Sequence, residues 1–235
     1  MELLLLQKFS LSALQDIIDS MGRVPRIFHS EAQFQFALAW EIKLRYNCQV
    51  FLEEYTASYP IFKKKKKMYT DIILKGEDGY TIGIELKYKT AEYNNGIYHL
   101  LNHGATDLGR YDYLYDVHRL ELLSKKDKLS EAEIICPITK GYAILLTNEH
   151  KYWSISHNAA TNTIYKEFCI GEYNNPLGLY GTKLDWKQPY TSTVTQERAI
   201  PINLSQRYLY QWRDYCNTGT RIKNGIFRYM IIEII

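Results

Sequence analysis

The chain has 235 residues, of which 46% are hydrophobic and 23% charged, so it can bury a sizeable core and has the composition of a soluble globular protein. Its net charge is +3, but five positive charges stand together at positions 63–67, and subtracting them leaves −2 for the rest. No stretch approaches a membrane span, and the opening MELLLL lacks the basic flank of a secretory signal. We therefore expect a cytoplasmic protein with no membrane partner.

The four cysteines are too scattered to form a recognisable metal or disulfide motif. They stand at positions 48, 136, 169 and 216, and no two of them form a C-x-x-C pair. Such spacing is typical of free thiols in a reducing compartment, and it argues against a zinc site.

Two capping patterns predict helices in the first 46 residues. Ser12-Ala-Leu-Gln15 fits a capping box for a helix that Gly22 and Pro25 bring to an end. Ser30-Glu31-Ala32-Gln33 is a second capping box, and the apolar residues after it predict a largely buried helix over 30–46. Glu31 lies in the first turn, where a carboxylate also complements the helix dipole. Gln35 stands one turn further along and points the same way.

A strand is predicted at Cys48–Thr56, and a loop over 57–62 with the lysine run is predicted to follow it. The run consists of Lys63, Lys64, Lys65, Lys66 and Lys67. Runs of this kind are usually solvated loops. The functional alternative is a clamp on the phosphate backbone of a nucleic acid.

The stretch from Tyr69 to Lys89 predicts a β-hairpin around the turn Gly76-Glu77-Asp78-Gly79. With a three-residue loop, Gly76 pairs with Tyr80 and Asp71 lies directly opposite Glu85; a four-residue loop shifts the pairing by one residue. Because side chains alternate along a strand, Glu85 and Lys87 share a face.

This hairpin brings two carboxylates and an ammonium group together. The carboxylates of Asp71 and Glu85 would repel each other unless a cation lay between them. Oxygen ligands without sulfur or imidazole suit Mg²⁺ or Mn²⁺, so we predict a metal site at Asp71 and Glu85. The alternative is an ordinary hairpin with a solvated charged face, because E-x-K alone has little value as a motif.

Beyond Lys89 the pattern predicts a long helix from about Thr106 to Ser124 and three more strands. The strands are expected at Glu131–Pro137, Gly141–Thr147 and Phe227–Ile235. Arg110 could hold a phosphate, or form an Arg–Asp pair on the helix surface. His99 and His103 are better explained as surface residues than as a metal pair.

Residues 149–200 show no clear periodicity and could form a β-rich layer or surface loops. No repeat or low-complexity linker interrupts the chain, so we predict one domain over 1–235, with a core at about 29–148 and an elaboration over 149–235.

The order of these features resembles the PD-(D/E)XK nuclease superfamily: a helix with Glu31, a strand, strands with Asp71 and Glu85-Leu86-Lys87, a helix and a strand. LLNHGATDLGRYDYLYDVHRLE, GYAILLTNEHKYW and RYLYQWRDY…FRYM resemble a bacterial branch of it. The resemblance implies an α/β fold like that of restriction endonucleases, a mixed β-sheet flanked by helices, with extra β and loop elements in the C-terminal half. One departure is Thr70, which stands where the motif has proline.

The resemblance also implies roles for four residues. Asp71 and Glu85 match the metal-binding acids, Lys87 the lysine that positions or activates water, and Glu31 the helical glutamate that some members add. The expected activity is Mg²⁺-dependent hydrolysis of DNA by an endonuclease, with RNA as an alternative substrate. By analogy with enzymes of this fold, a homodimer is expected.

Two other functions remain open. The first is a catalytically inactive nuclease fold that binds nucleic acid or a protein partner. The second is a structural subunit of a larger defence or repair complex, with residues 149–200 as its interface.

Overall fold

The structure, a computed structural model, describes residues 3–24, 26–61, 64–124, 133–154, 163–172, 182–187, 198–219 and 223–235, the side chains of 59–61, 64 and 65 aside. It is a mixed α/β protein, as the sequence predicts at this coarse level. Contacts divide the chain into two compact units. Unit 1 comprises Met1–Leu86, Arg119–Ile144 and Glu233–Ile235, and unit 2 comprises Lys87–His118 and Leu145–Ile232. The prediction of a single domain remains a prediction.

The elements, in chain order, are β1 (Leu4–Leu5), α1 (Leu11–Arg23), α2 (Glu31–Lys43), β2 (Tyr46–Ile61), β3 (Lys64–Gly76), β4 (Thr81–Lys89), β5 (Tyr93–Asn94), β6 (His99–Leu100), α3 (Thr106–Ser124), β7 (Glu133–Ile134), β8 (Lys140–Thr147), β9 (Lys183–Leu184), β10 (Ile202–Asn203), β11 (Trp212–Asn217) and β12 (Ile226–Ile234). The predicted bounds of α3, β8 and β12 are confirmed to within a residue. None of the helices within the described ranges is both long and apolar enough to cross a membrane.

Within the described residues, a mixed sheet of eight strands has the order β1-β2-β3-β4-β8-β12-β11, and β7 pairs with β2. β1 runs parallel to β2, whereas β2 and β3 form a long antiparallel hairpin. From Gly141 onward every residue of β8 is buried, as expected for a strand in the interior of a sheet.

Helix α1 begins earlier than its sequence pattern predicts. The N-cap is Ser10 rather than Ser12, and its hydroxyl accepts a hydrogen bond from the Ala13 amide at 3.2 Å. For α2 the predicted cap is confirmed, because the Ser30 hydroxyl accepts from the Gln33 amide at 3.2 Å. Both caps satisfy amide groups that the first turn of a helix leaves without partners.

The loop predicted at 57–67 is wrong over most of its length. Residues 57–61 continue β2, and Lys64–Lys67 begin β3 in register with them, so that Lys67 lies opposite Ser58. Phe62 and Lys63 lie outside the described residues. Pairing with β2 satisfies the backbone of the lysine segment and overrides its weak intrinsic preference for a strand.

Unit 2 buries aromatic side chains from the region that lacks periodicity in the sequence. Phe168 is 0% and Trp186 is 2% exposed, and their ring centroids lie 4.6 Å apart. Tyr111 of α3 packs against both rings, at 5.3 and 5.6 Å. The described parts of 149–200 therefore contribute to a core, and the other parts lie outside the described residues.

Candidate active site

The hairpin of β3 and β4 has the register that a three-residue loop requires. The Gly76 amide donates to the Tyr80 carbonyl at 2.9 Å, and residue pairs run from Lys75–Thr81 to Ile72–Ile84. The same register, continued by one residue, sets Asp71 opposite Glu85. Gly79 has φ +78°, a conformation that residues with a side chain adopt only at a cost, so this glycine defines the turn. The predicted register of the three-residue loop is thereby confirmed from Lys75–Thr81 to Ile72–Ile84, and the facing positions of the two acids follow from continuing it.

Asp71 is half-buried and anchored through both its side chain and its backbone. Its Oδ2 accepts a hydrogen bond from the Leu86 amide at 2.6 Å, and its carbonyl accepts one from Gln35 Nε2 at 2.6 Å. Gln35 is only 7% exposed and also donates to Glu53 Oε1 at 2.9 Å. Helix α2 therefore fixes the backbone of β3 at the position of the candidate metal ligand.

Gln35 and Glu53, which lie near Asp71, have contacts that the sequence does not predict. Glu53 has φ +52°, which is rare for a residue with a side chain. The pairs Leu52–Ile72 and Glu54–Thr70 place it opposite Asp71 in the register of β2 and β3. The only signals in the sequence are the unusual Glu53-Glu54 pair within a strand and the position of Gln35 one turn after Glu31.

Glu85 lies in the core of unit 1. It is 1% exposed, between Ile84 and Leu86, which are both fully buried. Its Oε1 lies 3.2 Å from Arg119 Nη2. Arg119 also donates a hydrogen bond to the backbone carbonyl of Tyr69. The sequence predicts the strand and the face of Glu85, but it does not predict this burial or its cationic partner.

Lys87, two residues further along β4, belongs to unit 2 and has a carboxylate partner there. Its Nζ lies 2.5 Å from Asp116 Oδ2 of α3. The exposed fractions of the two side chains are 17% and 5%. The sequence does not predict this pairing of Lys87 with Asp116, which the structure adds.

The other predicted site residues have separate placements. Glu31 begins α2, one turn before Gln35. Lys66 and Lys67 are exposed on β3, and the backbones of Lys64 and Lys65 belong to the same strand. Lys63 lies outside the described residues.

Arg110 is buried, which disagrees with a role in holding the phosphate of a nucleic acid. It is 3% exposed, and its Nη2 donates to the Lys151 carbonyl at 2.5 Å. Its guanidinium also lies 5.2 Å from the ring centroid of Tyr165. Among the described residues, Arg110 does not form the alternative Arg–Asp pair on the helix surface either. The nearby Asp112 pairs instead with Arg198 at 2.7 Å.

The chemistry of Asp71 and Glu85 fits a hard divalent cation, although the two acids do not make a complete cage. Within the described ranges, no three or more histidine, cysteine, aspartate or glutamate side chains converge as a metal-binding group. Mg²⁺ commonly binds proteins through one or two carboxylates and keeps several waters. Two acids on facing strand positions are compatible with that mode of binding.

Comparisons of the chain with protein-family models, with curated proteins and with solved structures find no match.

Proposed function

We propose that the protein is a nuclease that hydrolyses phosphodiester bonds in DNA with the help of Mg²⁺ or Mn²⁺, as an endonuclease with a fold like that of restriction endonucleases. Asp71 and Glu85 would bind the metal, and Lys87 would act on the phosphate or on the attacking water. The observation that supports this most is the register of β3 and β4, which sets the two acids opposite each other.

The burial of Glu85 supports a functional role for this position. A buried carboxylate loses its hydration, and its ion pair often recovers no more than that cost, so an apolar side chain would stabilise the strand at least as well. The alternating positions 82, 84 and 86 of β4 are all apolar and fully buried on its other face, and Glu85 itself is only 1% exposed. A glutamate among them is therefore better explained by chemistry than by packing.

The contacts of the three residues suggest how each would act. The Leu86 amide orients one oxygen of Asp71, and Gln35 holds the Asp71 backbone. The ion pair with Asp116 restrains the ammonium group of Lys87, which can stabilise negative charge on phosphoryl oxygens. A bound Mg²⁺ would supply activation of water and polarisation of the phosphate. Glu31 is kept as a further acid on the basis of the resemblance alone.

The alternative is a nuclease fold that binds nucleic acid or a protein partner without cleaving. The observation that favours it is the ion pair between Glu85 and Arg119, because the Glu85 side chain is only 1% exposed. In this form Arg119 provides the positive charge that a metal would otherwise provide. Cleavage then requires Arg119 to move or to share Glu85 with the metal.

A plasmid-nicking assay with Mg²⁺ and with Mn²⁺ distinguishes the two functions. We expect metal-dependent nicking by the natural protein and a loss of at least about 100-fold in Asp71→Asn, Glu85→Gln and Lys87→Ala, typical of losing charge stabilisation in the transition state. Glu54→Gln is the matched control. Glu54 is also a strand glutamate in an ion pair, with Lys75 at 3.7 Å, but its side chain is 34% exposed.

Binding of Mn²⁺, followed by electron paramagnetic resonance, gives a readout that does not depend on turnover. We expect Asp71→Asn to weaken Mn²⁺ binding and Glu54→Gln to leave it unchanged. Absence of nicking with every divalent ion, or full activity in Glu85→Gln, would contradict the nuclease and favour the binding module.

A further inference from the structure

A cluster of two tyrosines and a lysine, in which Lys67 and Tyr69 are exposed and Tyr55 is half-buried, lies on the β2–β3 hairpin of unit 1, beside the candidate active site. Tyr55 and Tyr69 are directly paired across the two strands, and their ring centroids lie 5.6 Å apart. The Nζ of Lys67 lies 5.5 Å from the ring centroid of Tyr55. We call Tyr55, Lys67 and Tyr69 the tyrosine–lysine platform.

The platform and Asp71 share one face of β3. Met68 is 8% and Thr70 is 0% exposed, so the intervening positions point to the core. Lys67, Tyr69 and Asp71 therefore point the other way, because side chains alternate along a strand. Tyr69 precedes Asp71 by two residues, a distance of roughly 7 Å along a strand.

Two of the three platform residues, Lys67 and Tyr69, are exposed, and the third is partly preorganised. Tyr69 is 43% exposed, a large fraction for an aromatic residue in the middle of a long strand. The hydroxyl of Tyr55 forms a hydrogen bond with Ser58 Oγ at 2.7 Å, which restrains its ring.

Aromatic rings combined with lysines are the recurrent means by which proteins bind single-stranded nucleic acid. Unpaired bases stack on the rings, and the ammonium groups attract the backbone phosphates. In a duplex the base faces are occupied by neighbouring pairs, so a ring on a strand surface can stack only on a base that is unpaired or flipped out.

We propose that the tyrosine–lysine platform binds an unpaired base of a DNA strand and that the substrate of the site is single-stranded DNA or a single-stranded segment within a duplex. A base stacked on Tyr69 would place a neighbouring phosphate towards Asp71. This inference rests on the proposed function, which supplies the reason for a phosphate to lie there.

Fluorescence anisotropy in the presence of EDTA tests the platform without any cleavage. The probes are a labelled oligothymidylate of about 12 nucleotides, within the usual range of single-strand site sizes, and a duplex of the same length. We expect the oligothymidylate to bind more tightly than the duplex and Tyr69→Ala to weaken its binding about tenfold. Tyr69→Phe keeps the ring and should bind as the natural protein does.

Two controls make the result specific. Phe36→Ala removes another exposed ring, 61% exposed on α2, and should leave the affinity unchanged. Lys67→Ala should remove about one phosphate contact and so make the plot of log affinity against log salt concentration less steep by about one unit. When the natural protein is photo-crosslinked to DNA that contains 5-iodouracil, the crosslinks should map to Tyr55 or Tyr69. This readout does not depend on how any variant folds.

The outcomes separate this inference from the proposed function. Equal affinity for duplex and oligothymidylate, unchanged affinity in Tyr69→Ala, or crosslinks away from the platform would overturn the inference even if the protein nicks plasmid DNA. Binding through Tyr69 by a protein that never nicks would leave the platform intact and contradict the nuclease.

Discussion

At the scale of single residues, the most consequential contact is the ion pair of Glu85 and Arg119. The side chains of Glu85 and Arg119 are 1% and 19% exposed, so solvent compensates the carboxylate little and Arg119 provides a positive charge 3.2 Å away. Removing one partner of a buried pair leaves an unpaired charge, which costs more than the pair itself contributes. The same arginine also satisfies the carbonyl of Tyr69, so it supports the strand on which Asp71 lies.

We therefore expect Arg119→Met to lower the free energy of unfolding by about 3 kcal/mol, the lower part of the range for broken buried pairs because Arg119 keeps some exposure. Urea denaturation measures this. The double variant Glu85→Leu with Arg119→Met should recover most of the loss, because no charge is left buried.

Glu54→Gln breaks the more exposed pair with Lys75 and should cost less than about 1 kcal/mol. Equal destabilisation by Arg119→Met and Glu54→Gln would show that Glu85 does not depend on Arg119.

At the scale of elements, the cap of α1 offers a test with two serines two residues apart. Ser10 accepts from the Ala13 amide, whereas the hydroxyl of Ser12 has an exposed contact with that of Ser10 at 2.9 Å. Ser10→Ala should cost about 1 kcal/mol, and Ser12→Ala less than about 0.5 kcal/mol. Thermal unfolding of both variants measures which costs more stability. A larger loss in Ser12→Ala would show that Ser12 is the cap.

Sequence patterns predicted the elements whose signals are local. The regular apolar spacing of α3 and the uninterrupted apolar run of β8 fixed their bounds, and the Gly-rich turn fixed the register that sets Asp71 opposite Glu85. The capping-box pattern selected Ser12, whereas the cap is Ser10, which accepts from the first turn without a Glu or Gln three residues later. The strand at Lys64–Lys67 escaped prediction because β2, and not the lysines themselves, stabilises it.

The same distinction applies to the candidate site. Asp71, Glu85 and Lys87 could be proposed from their spacing along two adjacent strands. Their partners Gln35, Arg119 and Asp116 come from helices, and no short motif in the sequence connects those helices to the hairpin. The burial of Glu85 and of Arg110 depends on packing between distant segments, which is why neither was foreseen.

At the scale of the whole molecule, burial of the cysteines affects the response to pH. All four thiols are free and buried, and burial raises the pKa of each one, to about 12 for Cys216. A thiol whose pKa is raised by folding stays protonated in the native protein while the unfolded chain ionises. The stability that it contributes is complete below its unfolded pKa and is lost as the pH rises towards its folded pKa.

Stability should therefore fall once the pH exceeds about 9, the ordinary pKa of an unfolded thiol, by up to about 1.4 kcal/mol per pH unit for each affected group. Urea midpoints measured between neutral and alkaline pH check this. Burial also raises the pKa of Tyr111 and Tyr142, which adds to the effect above pH 10. A midpoint that does not change with pH would show that these groups are accessible in the native state.

The order of strands in the sheet has a kinetic consequence. β2 and β3 are joined by a short connection, so their pairing can form on the microsecond timescale of hairpins. β12 instead pairs with β8, from which 148–225 separate it along the chain, and closing so long a segment is slow. Until it arrives, one edge of the apolar strand β8 stays open to pairing with other chains. Refolding should accordingly give the best yield from dilute solution, where the chain's own β12 reaches that edge before a neighbouring molecule does.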